Sequence, residues 1–164
     1  MAFDTFLDLA TVEGECQAKG FEKKIEIYSF SWGASNPTTI SSGSKGLGAG
    51  KVSISSFNLM KKTEKSSAKL FQACCDGTHF PTATVTMRKA GGQAGQQIFL
   101  KYSFTGCMVE SIQWSGSTGG DDSPTESLSL AFSKVKIEYY MQDAKGAMAV
   151  AGQAQWDLVT VSSK

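Results

Sequence analysis

QIFLKYSFTGCMVESIQW, residues 97–114, decides the fold. Ile98, Leu100, Tyr102 and Phe104 fall on even positions and alternate with less apolar residues. That two-residue period is the signature of a β-strand with one buried face. After Gly106 the apolar residues move to odd positions, at Cys107 and Val109. Side chains alternate strictly across a strand, so a slip of one residue sends the apolar set to the opposite face. Either a bulge at the slip restores the geometry and bends the strand, or the strand is apolar on one face early and on the other face late. The second reading leaves apolar outer faces in need of partners.

The same slip recurs along the chain. In KVSISSFNL (51–59), Val52 and Ile54 give way to Phe57 and Leu59. In ESLSLAFSKVKIEYYMQ (126–142), Leu128, Leu130 and Phe132 give way to Val135, Ile137 and Tyr139. KIEIYSFSW (24–32) places Ile25 and Ile27 on one face, then Tyr28, Phe30 and Trp32 on the other. FDTFLDL (3–9), TATVTM (82–87) with Ala83, Val85 and Met87 aligned, and QWDLVTVS (155–162) complete the strands. Long strands that change phase suit a small β-barrel or an orthogonal sandwich of two sheets. TEKSSAKLFQACCDG (63–77) breaks the rule: Ser66 or Ser67 as N-cap, Leu70, Phe71 and Cys74 at helical spacing and Gly77 as the stop predict one short α-helix packed alongside. GTHFP (77–81) then turns the chain into the next strand. The expected fold is therefore mainly β, in one domain over residues 1–164.

Three long loops remain: GASNPTTISSGSKGLGAG (33–50), SGSTGGDDSPT (115–125) and DAKGAMAVAGQA (143–154). Loops of that length inside a compact domain carry function or lack order. The first contains glycines ahead of Lys51, as a phosphate loop would. Val52 follows the lysine where a hydroxyl is needed, Lys45 stands where the leading glycine belongs, and the next segment is a strand rather than a helix. A nucleotide site is excluded on those grounds.

Composition narrows the function classes. The chain is 41% hydrophobic and 19% charged, with a net charge of +1. It lacks the basic patch of a nucleic-acid binder and any apolar run of membrane-spanning length. The start MAFDTFLDLA has no basic region and is interrupted by Asp4 and Asp8, so no signal peptide is expected and the protein is cytoplasmic when made. The four cysteines lack zinc-ligand spacing and read as buried free thiols. His79 is the sole histidine and sits in a turn signal, while Asp121 and Asp122 adjoin in a Gly/Ser loop. Neither makes a triad or a carboxylate pair, so no catalytic residue, metal ligand or cofactor is assigned and an enzyme is not expected.

Two blocks, residues 1–33 ending in SWG and residues 48–92 with GTHFP and MRKAGG, together with TESLSLAFSKVKIEYYMQ (125–142), resemble the haemolysin-coregulated protein (Hcp) family, the tube protein of bacterial type VI secretion. The resemblance covers most of the chain. It is weakest in the Gly/Ser loop, the GGDDSPT loop and the C-terminal end. It implies a small β-barrel that forms hexameric rings, stacked into a hollow tube inside a contractile sheath behind a spike. It further implies secretion without a signal peptide and a lumen that shelters small effector proteins. No nucleic acid and no membrane is among the expected partners. By the resemblance Ser31 is a lumen contact for effectors. The glycine-rich loop, with Ser44, Lys45, Gly46, Leu47, Gly48 and Lys51, is expected to reach a neighbouring ring or protomer. Cys74–Cys75 and the TGGDDSP loop are not fixed features of the family. Residue by residue, a monomeric β-barrel binding module using its long loops stays open, as does a hydrolase using Asp121 or His79.

Overall fold

The structure is a computed structural model that describes residues 3–40, 47–90, 95–120 and 122–164. The strands are β1 (Asp4–Leu9), β2 (Ile25–Ile27), β3 (Ser29–Ser31), β4 (Ala34–Ser35), β5 (Thr38–Ile40), β6 (Leu47–Ala49), β7 (Ser53–Ile54), β8 (Phe57–Lys62), β9 (His79–Ala90), β10 (Gln96–Ser115), β11 (Thr125–Ala131), β12 (Lys134–Gln142) and β13 (Met148–Asp157). The helix, α1, spans Ser67–Asp76.

Everything is hung on β10. Its first half pairs with β9 on one side and β12 on the other, and its second half pairs with β11. Because β11 and β12 are both antiparallel to β10 and separated only by Phe132 and Ser133, they behave as one long strand with a break. The break faces Gly106. Ser133 donates its backbone N–H and its hydroxyl to the Thr105 carbonyl, both at 2.9 Å. Gly106 has φ +64°, and a Cβ there would overlap Ser133 Oγ. The phase slips of residues 97–114 and 126–142 are thus one bend, shared by both strands.

That bend settles the two readings of the slips. Phe104, Cys107 and Val109 are all buried, and so are Leu130, Phe132 and Val135, in the same core. No residue is inserted on one strand alone: the register runs unbroken from Thr105–Lys134 to Met108–Ala131, so both strands turn together at Gly106 and Ser133 and the apolar side stays inward. The break at Ser55–Ser56 does the same for Ile54, Phe57 and Leu59. The expected change of face in residues 24–32 is corrected too. Ile25, Ile27, Phe30 and Trp32 all reach the core, and Tyr28 alone is pushed outward, 57% exposed. Trp32 meets Tyr102, Phe104 and Phe132 edge-on at 5.2–6.1 Å between ring centroids.

The main sheet runs β2-β1-β9-β10-β11-β8-β3, with β12 on β10 and β13 on β12. Its first and last strands are consecutive pieces of residues 25–31, parted by Tyr28, whose N–H goes to the Met60 carbonyl at 2.9 Å. The sheet therefore curls until it meets itself through a shared stretch of chain. It is barrel-like without being a barrel closed by a continuous ladder. Two small ladders, β4–β7 and β5–β6, stand apart from it.

Other boundaries shift. Pro81 and His79 lie within β9, so the turn is at Gly77 and Thr78. α1 ends at Gly77 in the left-handed conformation, as its sequence suggests, but Ser66 makes no side-chain cap and instead donates to Glu64. The helix buries Ser67, Leu70 and Ala73 and turns Phe71 outward. Most of residues 143–154 is strand: only Asp143–Ala147 forms a turn before β13. The last strand thus lies earlier than QWDLVTVS suggests. β13 ends at Asp157, whose carboxylate caps the following turn through the Val159 and Thr160 amides. Of the cysteines only Cys107 is buried, and burial pushes its thiol up to about 11. Cys16 and Cys74 are half-buried and Cys75 is exposed, against the expectation of four buried thiols.

Candidate functional site

On β3, β8, β11 and β10 the inward residues are apolar apart from Lys61 and Glu126, which leaves every second residue facing out. Ser31 pairs with Asn58, Asn58 with Ser129, and Ser129 with Ser111. The next row is Ser29, Met60, Ser127 and Gln113. Ser129 donates to Asn58 Oδ1 at 2.5 Å. These two rows carry no charge, and Met60 is their one apolar member. At the border Ser56 donates to Glu110 at 2.5 Å, which ties that carboxylate down. The result is a smooth, neutral, hydroxyl-rich face that includes Ser31. Surface strands of this kind ordinarily alternate core residues with Lys and Glu, as β12 does with Lys134, Lys136 and Glu138.

Among the described residues, 33–40 and 47–54 are not open loop but pair in two successive ladders of one arm. Ala34 and Ser35 pair with Ile54 and Ser53, and Thr38–Ile40 pair with Leu47–Ala49. The root is locked by Gly33 N–H to Ser55 Oγ and Ser55 N–H to the Gly33 carbonyl, each at 2.9 Å. Midway, Gly50 N–H meets the Pro37 carbonyl at 2.8 Å, and a Cβ on Gly50 would lie 2.7 Å from that oxygen. The chain from Ala34 to Ile40 is long enough to span roughly 20 Å when extended. Leu47 and Gly48 lie on β6 and Lys51 is exposed below it. Ser44, Lys45 and Gly46 lie outside the described residues, as does Asp121. His79, the other residue of the hydrolase reading, is exposed at the first position of β9, opposite Met108.

Beneath the hydroxyl face lies a buried charge network that sequence patterning does not single out. Lys61 and Glu126 occupy inward positions of β8 and β11, both fully buried, with Nζ 2.7 Å from Oε2. The contact is an ion pair rather than an aligned hydrogen bond. Lys61 directs its hydrogen bonds to Ser67 Oγ and the Lys62 carbonyl, each at 3.1 Å. Glu126 Oε1 accepts the Trp114 Nε1–H at 2.7 Å. Burial pushes the Glu126 carboxyl up, but polar contacts from Lys61, Ser67 and Trp114 and the Lys61 charge outweigh it, so it stays below its ordinary range. Ser67 opens α1 and also accepts the Glu64 N–H at 2.9 Å. The network therefore fixes the helix N-terminus and the end of β10 to the sheet. An inward Lys four residues after an inward Phe57 is its only signal in the sequence.

No described helix is long and apolar enough to cross a membrane. The family model described as "Type VI secretion system effector, Hcp" matches residues 6–139. Protein hcp1 of Pseudomonas aeruginosa is 37% identical over 147 residues, 90% of this chain and 89% of that protein. A solved structure described as a type six secretion system protein superposes with a TM-score of 0.91 at 38% identity, covering 99% of this chain and 100% of its own. The crystal structure of Hcp1 from Salmonella typhimurium gives 0.80 at 30% identity, with 100% of both chains covered.

Proposed function

This chain belongs to the Hcp family of type VI secretion system proteins, and we propose that it serves there as the self-assembling subunit of the inner tube. Copies close into hexameric rings, the rings stack, and the hollow stack is exported inside the sheath behind the spike. The protein is made in the cytoplasm and leaves the cell with the tube. The hydroxyl-rich face of β3, β8, β11 and β10 lines the lumen, where Ser31 and its neighbours contact small effector proteins. The observation that carries this reading is that face itself. A channel wall must stay wet and offer no strong foothold, and rows of Ser, Asn and Gln without charge supply weak, exchangeable hydrogen bonds.

The hairpin arm supports the stacking part. The β5–β6 ladder is a two-stranded ribbon separate from the main sheet, and such ribbons are marginal alone. Docking on a neighbouring ring completes it. A closed ring needs two different contact surfaces on each copy, and stacking needs a third region; the arm with Leu47, Gly48 and Lys51, continued through Ser44, Lys45 and Gly46, is that region.

The test is the absolute mass of the purified protein by light scattering, with negative-stain images of the same peak. A ring-sized species with a central hole is expected. A monomer at every concentration would refute self-assembly and favour a binding module that uses its loops, to be followed by a ligand screen for stabilisation.

A further inference from the structure

Among the apolar features on the outside of the molecule, two stand at the two ends of β10. The first is an aromatic ledge. Phe71 of α1 and Trp114 near the end of β10 stand with ring centroids 5.6 Å apart, 48% and 44% exposed. The only polar atom of the indole is already used, because Nε1–H is held by Glu126, which is itself pinned by Lys61. What Trp114 presents to the outside is a fixed apolar ring. An anchor held rigid before contact loses little entropy on docking, and buried aromatic anchors dominate interface energetics.

The second is a cleft of about 270 Å³ between the root of the hairpin arm and the β12–β13 pair. Trp32, Val52 and Ile54 form one wall; Ile137, Ala154 and Trp156 form the other. The volume is below the roughly 300–1,000 Å³ of small-molecule sites and suits one or two large side chains. Ledge and cleft belong to opposite ends of β10. The cleft adjoins Tyr102, whose ring contacts Trp32, and the ledge ends at Trp114. About twelve residues of strand separate them, roughly 40 Å along the chain, so a molecule cannot seat its ledge in its own cleft.

We propose that the Phe71–Trp114 ledge of one copy inserts into the Trp32–Ile54–Trp156 cleft of the next. A foreign partner would account for one feature and leave the other bare, whereas a second copy accounts for both. Because knob and hole are different surfaces, the contact is heterologous: it repeats head to tail and closes where the rotation allows. The proposal rests on the self-assembly reading and names the surfaces that would perform it. The buried Lys61–Glu126 pair gains a role as the support that holds the knob in position.

The test uses the full chain, with Phe71→Glu to spoil the knob and Ala154→Arg to fill the hole, each checked by circular dichroism. Both positions are exposed. By light scattering the unaltered protein assembles and each variant alone is a monomer. An equimolar mixture forms a species of twice the monomer mass and nothing larger, because each mixed pair has one intact contact. If both variants assemble as the unaltered protein does, the proposal fails and the tube reading stands. If the unaltered protein is itself monomeric, both fail. If Phe71→Glu disrupts assembly and Ala154→Arg does not, the ledge meets something other than the cleft, and the proposal is overturned. A second measurement is independent of disrupted assembly: Phe71→p-benzoylphenylalanine, irradiated in the assembled state, forms a cross-link to residues 52–54 or 154–156 of another copy. Cross-links found only elsewhere overturn the proposal.

Discussion

Replacing Lys61 with methionine strips the counter-charge from a carboxylate that has no access to water. Glu126 and Lys61 are both fully buried, 2.7 Å apart. Removing one partner from a buried pair leaves an uncompensated charge and costs about 3–5 kcal/mol. Glu126→Gln also destabilises, but by less, because Glu64 Oε1 at 3.8 Å leaves Lys61 a second counter-charge. Combining Lys61→Met with Glu126→Gln is different in kind. The glutamine amide oxygen can still accept the Trp114 N–H, the methionine side chain fills the lysine's space, and no buried charge remains. The double variant is therefore expected to lose less than either single one, with a coupling of about 2–3 kcal/mol or more. Urea unfolding at fixed protein concentration measures all four corners of the cycle. In thermal melts Lys61→Met should fall by roughly 6–20 °C, at 2–4 °C per kcal/mol for a chain of this size. The pH dependence has a definite sign. The folded carboxyl of Glu126 lies below its ordinary 4.5, so its contribution is complete above that value and is lost as pH falls through the folded value. Stability between roughly pH 7 and 5 should thus be insensitive to this group, and Glu126→Gln should flatten part of the loss at more acid pH. Single-variant losses under about 1 kcal/mol, or additive losses, would refute the network as drawn.

Gly106→Ala should destabilise by about 2–3 kcal/mol in urea: the left-handed backbone costs an alanine about 1–2 kcal/mol, and Ser133 must give up its bond to the Thr105 carbonyl, worth about 1 kcal/mol more. Lys45→Glu combined with Lys51→Glu should reduce ring stacking seen by electron microscopy while leaving the melting temperature of the folded unit within about 2 °C, since an exposed charge such as Lys51 contributes little to folding. Unchanged stacking would remove the arm from that role. With a thiol reagent at mildly alkaline pH, mass mapping should find Cys75 modified in the native protein and Cys107 modified only after denaturation. Cys75 is exposed, whereas Cys107 is buried and its thiol is pushed up to about 11.

How far the sequence can be read depends on which side chains alternate. Where Ile, Leu and Phe oppose Ser or Lys, as in residues 97–114 and 126–142, both the strand and its bend at Gly106 are legible. The direction of the slips is not, because periodicity counts positions and does not register a left-handed residue such as Gly106 at a kink; only the buried Cys107 and Val135 show that the apolar side stays inward. β13 reads as a loop because AVAGQA offers small residues with no contrast between faces, and an edge strand needs none. The arm escapes pattern for the same reason, its ladder being made by backbone bonds between Thr, Gly and Ala. Gly77 places the end of the helix, yet Phe71 faces outward because Ser67, Leu70 and Ala73 share the buried stripe. Ser31 comes from resemblance, and its neighbours on the hydroxyl face are within reach of pattern alone: in ESLSL the outward positions are serines where a solvent-facing strand would carry charges.

Whether this hydroxyl face surrounds the hole of a self-assembled ring is tested most directly by placing a label there. Ser31→Cys, in a chain with Cys16, Cys74 and Cys75 changed to serine, is coupled to a small gold cluster and imaged in averaged end-on views. Gold density inside the central hole is the predicted result. Density at the outer rim of an intact ring would contradict it, and so would a protein that stays monomeric with and without the label.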